Sequence, residues 1–584
     1  MKSLVDLWEA LLADASRRSG ADLARDVETF RARVEHEGSG FITLTLPNFC
    51  RDFERSLDAG RIAPGSFASF RKLRSGIPAF LQGLLCNVFD QRGELLAEPS
   101  VDCVRLVRQL CLYGKKVLHE CAEKRVQAAA DRFVQCDNEC VFPESQLVRW
   151  YRKVADIIVS GLDLSLEGMV PRHGPGATQE GISGNGKWTF QTWHARLEEV
   201  GFTRQLFARA SQTEPSPEEG YVVPRLVDPG DEAPSRVCFV PKTQRAPRII
   251  AVEPVCMQYA QQGLKAVLVS ALEKGRFTSG HVEFRDQRVN QRLALSSSQN
   301  GQRATLDMKE ASDLVALDHV EWLFRTQPEF LRVALASRST RSELPDGRVT
   351  DLKKFASMGS ALCFPVEALV FFVSIVASRL LRAGIFPTER SVYSSGRSVY
   401  VYGDDIIVPA SEAPEICDDL EALGFRVNRH KSFWTGQFRE SCGCDAFRGE
   451  EVTPVYLRRD VPQDRKDVSA VLSTVATANQ LFSAGYYVAA LHLKEKVERC
   501  LGPLPEVSLE SAAIGWHFHS EVVPRRRWNR RWQRLESRCY TSYQPKQSDP
   551  LEGDAALAKC YRVVGKGWIS PVDPEHLEMS PRPY

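Results

Sequence analysis

Three aspartates carry the most legible chemistry in this chain, and two of them are adjacent. Tyr402-Gly403-Asp404-Asp405 lies between the β-prone runs Ser398-Val399-Tyr400-Val401 and Ile406-Ile407-Val408. Two apolar runs joined at a Gly-Asp step predict a hairpin with the acidic pair at its tip. Adjacent carboxylates on a strand turn do nothing for packing. They suit a hard divalent cation that keeps open positions for phosphate oxygens. Ordinary turn chemistry accounts for a bare Asp-Asp, but poorly for the whole strand-flanked unit.

The third acid, Asp307, ends the β-prone run Ala304-Thr305-Leu306. If that run neighbours the hairpin in a sheet, Asp307 and Asp404 would bridge two Mg²⁺ ions roughly 3.5–4 Å apart, with Asp405 at the edge. Taken alone, Asp307 reads equally well as an acid ahead of a helix. The sequence predicts that helix from Ser312-Asp313. There Asp313 either accepts from a ribose hydroxyl or simply complements the helix dipole. Ser357-Met358-Gly359-Ser360 is a loop of mostly small residues that would let backbone approach a base closely, although helix capping explains the same letters.

Two basic features accompany the acids. Arg236, Lys242, Arg245 and Arg248 are interleaved with β-formers, so alternation would project them as a fork for triphosphate oxygens. A solvated edge strand is the plainer alternative. Lys431, in Asn428-Arg429-His430-Lys431, is a candidate general acid, although an isolated surface lysine is commoner.

The elements that position these groups are less sharply written. At 584 residues the chain suggests two to four folding units or one multi-lobed enzyme. Its 43% hydrophobic and 26% charged content is that of a soluble globular protein. A formal net charge of only +2 excludes a global positive field, so a nucleic-acid partner would need local basic patches or an interior channel. The 16 cysteines are scattered, many in apolar runs, and read as reduced thiols; neither Cys136/Cys140 nor Cys442/Cys444 has a second pair at zinc-finger spacing. No signal peptide is read at the start. The most apolar run, 368–377, is short of the roughly 20 residues that cross a bilayer, so no membrane is expected.

Residues 1–160 read as mostly helical, followed by a Gly-rich loop at 173–187 and a Pro-rich acidic connector at 213–234. Strands are expected from 236 to 254. Residues 300–460 read as short strands with two clear helices, about 362–383 and 414–423. The last 120 residues read as helical, including a basic Arg and Trp cluster at 525–534, and end in a Pro-rich tail. Gly181-Ile-Ser-Gly-Asn-Gly186-Lys187-Trp188 nearly spells a phosphate loop. Trp188 replaces the hydroxyl that reaches Mg²⁺ and no apolar strand precedes it, so it is a decoy.

In order along the chain, several segments resemble the replicases of small positive-strand RNA bacteriophages, the leviviruses. They are Gly174-Pro-Gly-Ala-Thr178, Val240-Pro-Lys242 through Glu253-Pro254, and Asp286-Gln287-Arg-Val-Asn290-Gln291-Arg292. They continue with Asp307 through Asp313, Ser357-Met-Gly359, Tyr402-Gly-Asp-Asp-Ile-Ile-Val-Pro409 and Phe438-Arg-Glu-Ser-Cys-Gly443. The resemblance covers about residues 160–460. It implies an RNA-directed RNA polymerase of α+β class, a right hand of fingers, palm and thumb with an antiparallel-sheet palm and largely helical fingers and thumb. The implied division is 1–292 for the N-terminal region and fingers, 293–440 for the palm with a fingers insertion about 320–356, and 441–584 for primer-grip strands, thumb and tail. The primer-grip pair itself is expected at 441–460.

The resemblance also implies roles. Asp307, Asp404 and Asp405 would hold two Mg²⁺ ions, for which Mn²⁺ could substitute. Arg236, Lys242, Arg245 and Arg248 would line the path of the incoming nucleotide. Asp313 with Ser357 and Gly359 would check the ribose, and Lys431 would donate a proton. Implied partners are RNA template and product, nucleoside triphosphates, host elongation factors Tu and Ts and a small-subunit ribosomal protein, in the cytoplasm of an infected bacterium. Met308-Lys309-Glu310 departs from the pattern of small residues and is expected to add charge beside the metals. Ser360 and Cys363 stand where Asn and Thr are usual, and Pro365 enters the helix start.

Two other functions compete. A reverse transcriptase also carries an Asp pair on a hairpin, but Gly403 and the following Ile-Ile-Val-Pro favour the RNA-copying group. A non-enzymatic RNA-binding protein would rest on Arg525, Arg527, Trp528, Arg530 and Arg531, which could grip phosphate and stack bases.

Overall fold

The computed structural model describes residues 2–73, 76–208, 224–543 and 550–563. Half of the expected acidic connector, 213–223, and the Pro-rich tail lie outside the described residues. The described chain is α+β, with helices at both ends and its larger sheets in the middle.

At the centre is a three-stranded antiparallel sheet in which Asp405–Pro409 lies between Arg303–Asp307 and Tyr400–Tyr402. Ile406, Ile407 and Val408 are all buried, so this middle strand is covered on both faces. The helix Cys363–Arg382 is part of that covering. It is apolar all round, which marks a core helix, and its residues from Val366 through Ser378 are all buried. At 20 residues it is longer than the apolar run suggests, long and apolar enough by composition alone to cross a membrane, yet wrapped by its neighbours. Pro365 costs it nothing, because a residue in the first turn has no intrahelical acceptor for its N–H.

A second, four-stranded sheet carries the basic residues. Its order runs Ala246–Val252, Ser235–Thr243, Arg341–Glu343, Val349–Asp351. One face buries Val237, Phe239, Ile249 and Ala251 with Ala130 and Phe133 of the helix Glu123–Asn138. A third sheet is formed by Phe438–Ser441, Cys444–Phe447 and Glu450–Glu451. These strands start before the expected 441–460 pair and end well inside it, because the tight turn falls at Cys442-Gly443, with positive φ at both residues.

Two large cores divide the chain in a way the sequence does not suggest. One gathers side chains from Leu147 to Val427, together with Ala555 of the helix Gly553–Val563. The other joins residues 4–117 to residues 433–518, so the N-terminal helices fold against segments more than 300 residues away in sequence. Asp14 of the first helix, Lys2–Ser19, accepts from the backbone N–H groups of Val488 (3.0 Å) and Ala489 (2.9 Å), capping the helix Tyr487–Leu501 from far away in sequence. Arg108, buried, reaches Glu54 and Asp445 and donates to the Val452 carbonyl at 3.1 Å.

Three expectations are corrected. Residues 300–460 hold five α-helices, because Leu317–Phe324, Pro328–Ala336 and Glu389–Gly396 are too short for their apolar stripes to stand out. Asp313 sits in a single 3₁₀ turn, Ser312–Leu314, with the α-helix starting later at Leu317. The Arg and Trp cluster is a β-hairpin, Arg526–Asn529 against Arg534–Ser537, where a helix was expected. Asn529 turns the chain with its carboxamide oxygen accepting from the Arg531 and Trp532 N–H groups (3.0 and 3.2 Å).

Arg108→Ala would leave the buried Asp445 and the half-buried Glu54 without their cation. It should destabilise the protein by roughly 3–5 kcal/mol, read as a lower urea midpoint, whereas Arg499→Ala in an exposed pair should change it by less than about 1 kcal/mol.

Candidate active site

The strand ladder decides where the acids meet. Asp307 is the register partner of Asp405, and Tyr402 pairs with Asp405 on the other side, leaving Gly403 and Asp404 as a two-residue loop. Gly403 has φ +63, and a Cβ there would lie 2.0 Å from Cε2 of Phe364. The turn therefore needs glycine twice over, for conformation and for space. Phe364 packs against Tyr402 (ring centroids 5.4 Å), tying the hairpin to the start of the apolar helix.

Asp307 is held from the side of residues 428–432. Asn428 donates from Nδ2 to Oδ2 at 2.5 Å, and the Ser432 hydroxyl accepts from the Asp307 N–H at 3.1 Å. Lys431 Nζ lies 3.9 Å from Asp307 Oδ1 and 3.6 Å from Glu440 Oε1. On the hairpin's other flank Asn290 donates to the Asp405 carbonyl (3.2 Å) and Gln291 to the Cys442 carbonyl (2.9 Å). Asn290, Gln291, Asn428 and Glu440 thus position or neighbour the acids. Sequence reading gave them no role. Three stand inside recognisable blocks, but nothing local says which way each side chain turns.

The electrostatics are those of crowded carboxylates. Burial pushes Asp307 up to about 6, with Lys431 opposing and Glu440 and Asp404 adding to the rise. Burial and then Asp404 push Asp405 up to about 7. Lys431 is raised, chiefly by Glu440. Glu440 is lowered: burial resists its charge, but Lys431, Lys115 and Arg108 outweigh it. Glu367, in the apolar helix, is driven well above the carboxylate range by burial and by the charges of Asp404 and Asp313.

The basic residues divide. Lys242 is lowered by burial, Arg248 and Lys431, while Asp404 and Asp307 act the other way, so Lys242 lies within electrostatic reach of the acids and Arg248 lies near Lys242. Arg248 pairs with Val240 across the ladder, on the face opposite the Phe133 core. Arg245 instead shares its surroundings with Arg51 and Arg125 of the N-terminal helices, and Arg236 sits at the far end of its strand beside Glu343. A register shift between Val240 and Thr243 breaks the simple alternation, so the four cations do not form one fork.

Asp313 is paired with the fully buried Lys354 at 2.8 Å. Ser357 is buried, and its hydroxyl has no hydrogen-bond partner among the described residues. Gly359, at φ +129, brings the loop onto the basic sheet: a Cβ would lie 2.0 Å from the Ala251 carbonyl oxygen, and the Met358 carbonyl accepts from the Ala251 N–H at 2.8 Å. Ser360 donates to Gln261 at 3.0 Å, and Cys363 is buried.

Glu310 does not crowd the acids as expected. Arg132 grips it with two bonds of 2.6 Å, and Arg426 adds one of 2.7 Å. The extra negative charge is neutralised by the helix Glu123–Asn138 and the segment after Gly424. Lys187 of the phosphate-loop look-alike is buried, with Nζ donating to the Gly174 and Gly176 carbonyls.

Among the described residues no three His, Cys, Asp or Glu side chains converge on one point. Asp307, Asp404 and Asp405 are nevertheless all hard oxygen donors whose crowding favours an added positive charge, a donor set that fits Mg²⁺ or Mn²⁺.

An acid-tipped antiparallel hairpin within reach of a basic sheet is thus the site this fold builds. The profile of the family described as RNA replicase, beta-chain, matches residues 230–569. The chain belongs to that family. It is 32% identical over 301 residues to the RNA-directed RNA polymerase subunit beta of Qbeta virus strain MX1, covering 51% of this chain and 48% of the relative. The corresponding subunit of Enterobacteria phage SP is 38% identical over 227 residues, 39% and 36% of the two chains. The RNA-directed RNA polymerase beta chain of Escherichia phage MS2 is 32% identical over 225 residues, 38% of each. The match spans less than half of each of these relatives. Among solved structures, the RNA-dependent RNA polymerase of a human picorbirnavirus aligns at a TM-score of 0.32 and 10% identity over 46% of this chain and 55% of that one.

Glu310 has φ +54, a left-handed conformation that strains a side chain. Glu310→Ala and Glu310→Gly lose the same three bonds, but only glycine relieves the backbone. The glycine variant should be the more stable by about 1 kcal/mol in paired urea titrations; equal midpoints would show that no strain is stored there.

Proposed function

We propose that this chain is an RNA-directed RNA polymerase that copies a positive-strand RNA phage genome from ribonucleoside triphosphates. The reading rests on one observation above the others, the register pairing of Asp307 with Asp405 beside Asp404, in a chain of the RNA replicase β-chain family. In this reading the three-stranded acidic sheet is the palm of a right-handed polymerase. The basic sheet with its helices is part of the fingers, and the helices after Asp467 form the thumb.

Asp307, Asp404 and Asp405 would hold two Mg²⁺ ions, with Mn²⁺ able to substitute. When bound, such a pair lowers the pKa of the attacking 3′ hydroxyl and neutralises charge on the departing pyrophosphate. The chain's own groups do the rest. Lys242 and Arg248 bind triphosphate oxygens, and Arg245 and Arg236 extend the positive strip along the same strand pair. Lys431 stays protonated beside Glu440 and can give its proton to the leaving pyrophosphate oxygen. Asp313, fixed by Lys354, and the unpartnered hydroxyl of Ser357 face the sugar, with Gly359 keeping the loop close to the basic sheet. Template pairing selects the base, and the protein supplies orientation and charge stabilisation. Host elongation factors Tu and Ts and a small-subunit ribosomal protein are proposed as partners in the bacterial cytoplasm.

Asp404→Asn should abolish nucleotide addition on a primed RNA template while leaving RNA retention on a filter nearly unchanged. Continued synthesis by that variant would remove Asp404 from the chemistry. Ribonucleotides should be incorporated and deoxyribonucleotides excluded; the opposite preference would favour a reverse transcriptase.

The carboxyls also predict a pH signature. Their folded pKa values of about 6 for Asp307 and about 7 for Asp405 lie above the ordinary carboxylate range. Stability present at low pH is therefore lost, without cation, as pH rises through that window. Mg²⁺ should then raise the thermal midpoint of chelator-treated protein at about pH 8, and much less at about pH 5.5. Equal shifts at both pH values would exclude these two carboxyls as the cation site.

A further inference from the structure

We propose that the hairpin formed by Arg526–Asn529 and Arg534–Ser537 is a binding surface for single-stranded RNA, separate from the acidic site. The proposal takes the RNA partner from the polymerase reading; its own support is the chemistry of the hairpin.

Charge is the first argument. Residues 525–538 contain seven arginines and one glutamate, a net of +6 where the whole chain carries +2. The cations are thus concentrated on one short element, the local patch that a nearly neutral chain needs to hold a polyanion. Arg525, Arg526, Arg530 and Arg531 are exposed and make no ion pair with a described residue, whereas Arg527 is tied to Glu536 at 3.2 Å.

Exposure of apolar groups is the second. The register pairs Trp528 with Leu535, and both point to the same face, 60% and 57% exposed. Arg526, two residues before Trp528, shares that face by strand alternation. An indole left in water beside a guanidinium offers a platform for an unpaired base and a cation for the adjoining phosphate. A solvating charged hairpin would have no use for the tryptophan; arginine and tryptophan also occur together at protein interfaces, but a net of +6 on so short an element favours a polyanion.

Attachment is the third. The hairpin joins the body through Tyr540–Thr541, which pairs with Ala513–Ile514, and through the Tyr540 hydroxyl, which donates to the Leu501 carbonyl at 3.1 Å. Both of its own faces remain open, so a strand could lie along it without displacing structure.

The test uses the full chain and a fluorescent single-stranded RNA of mixed sequence, with the same RNA as a duplex for comparison. Trp528→Ala should weaken single-strand binding roughly 5- to 150-fold and leave duplex binding nearly unchanged. The double change Arg530→Gln, Arg531→Gln should reduce the salt dependence of single-strand binding by about one unit in the logarithmic slope. Both sites are solvent-exposed, and unchanged circular dichroism verifies the fold. Affinity and salt slope equal to the unaltered chain in both variants would overturn the proposal. So would loss of binding to a host protein with RNA binding intact, which would make the hairpin a protein-docking face. Nucleotide addition is followed in the same preparations. Failure of the unaltered chain to add nucleotides overturns the polymerase reading alone, whatever the hairpin binds.

Discussion

Antiparallel pairing between Arg303–Asp307 and Asp405–Pro409 puts two carboxylates side by side, with a third at the adjoining turn. No gain in stability recommends this. Burial and mutual repulsion drive Asp307 and Asp405 toward their protonated forms. The arrangement persists because the ladder around it is over-determined. Ile406, Ile407 and Val408 are buried on both faces of the sheet, so a slip of one residue would force each to repack against the opposite face's neighbours; that packing holds the register, and the register places the acids. Gly403, held against Phe364, fixes the loop in turn.

Charge around that ladder is managed by segments remote from it. Lys431 sits between Asp307 and Glu440, and Glu440 in turn lies in the field of Lys115 and Arg108 of the N-terminal region. Glu310, three residues past Asp307, is drawn away by Arg132 and Arg426. Arg108 also binds Asp445 in the strand beside Glu440, and Asp14 caps a helix near the other end of the chain. The N-terminal helices therefore belong to the site's support although they supply none of its acids. A perturbation in residues 1–140 can reach the acids through these ion pairs without touching them.

Legibility in the sequence followed the range of the forces involved. The acidic hairpin, the apolar helix Cys363–Arg382 and the helix Ala413–Ala422 were readable because local pattern and tertiary environment agree. The basic hairpin at 526–537 reads as helix from its letters, since five arginines say nothing of periodicity and the deciding turn at Asn529 is a single residue. The short helices between 317 and 336 were missed for want of a long stripe. The basic strand was readable as a strand, but its cations were over-unified, because a β-bulge cannot be seen in alternating letters.

What the sequence determined by itself was the chemistry on offer: a strand-turn-strand bearing two aspartates, a third aspartate ending another strand, and cations interleaved with β-formers. Those are properties of residue type and local spacing, which the chain carries before it folds. Only the tertiary structure decided that Asp307 faces Asp405, that Glu310 is neutralised, that Lys242 approaches the acids while Arg245 joins Arg51 and Arg125, and that residues 4–117 share one core with residues 433–518. Each of those joins residues far apart in sequence. Register, bulges and long-range ion pairs are set by burial of the whole, and no short window of sequence contains that information.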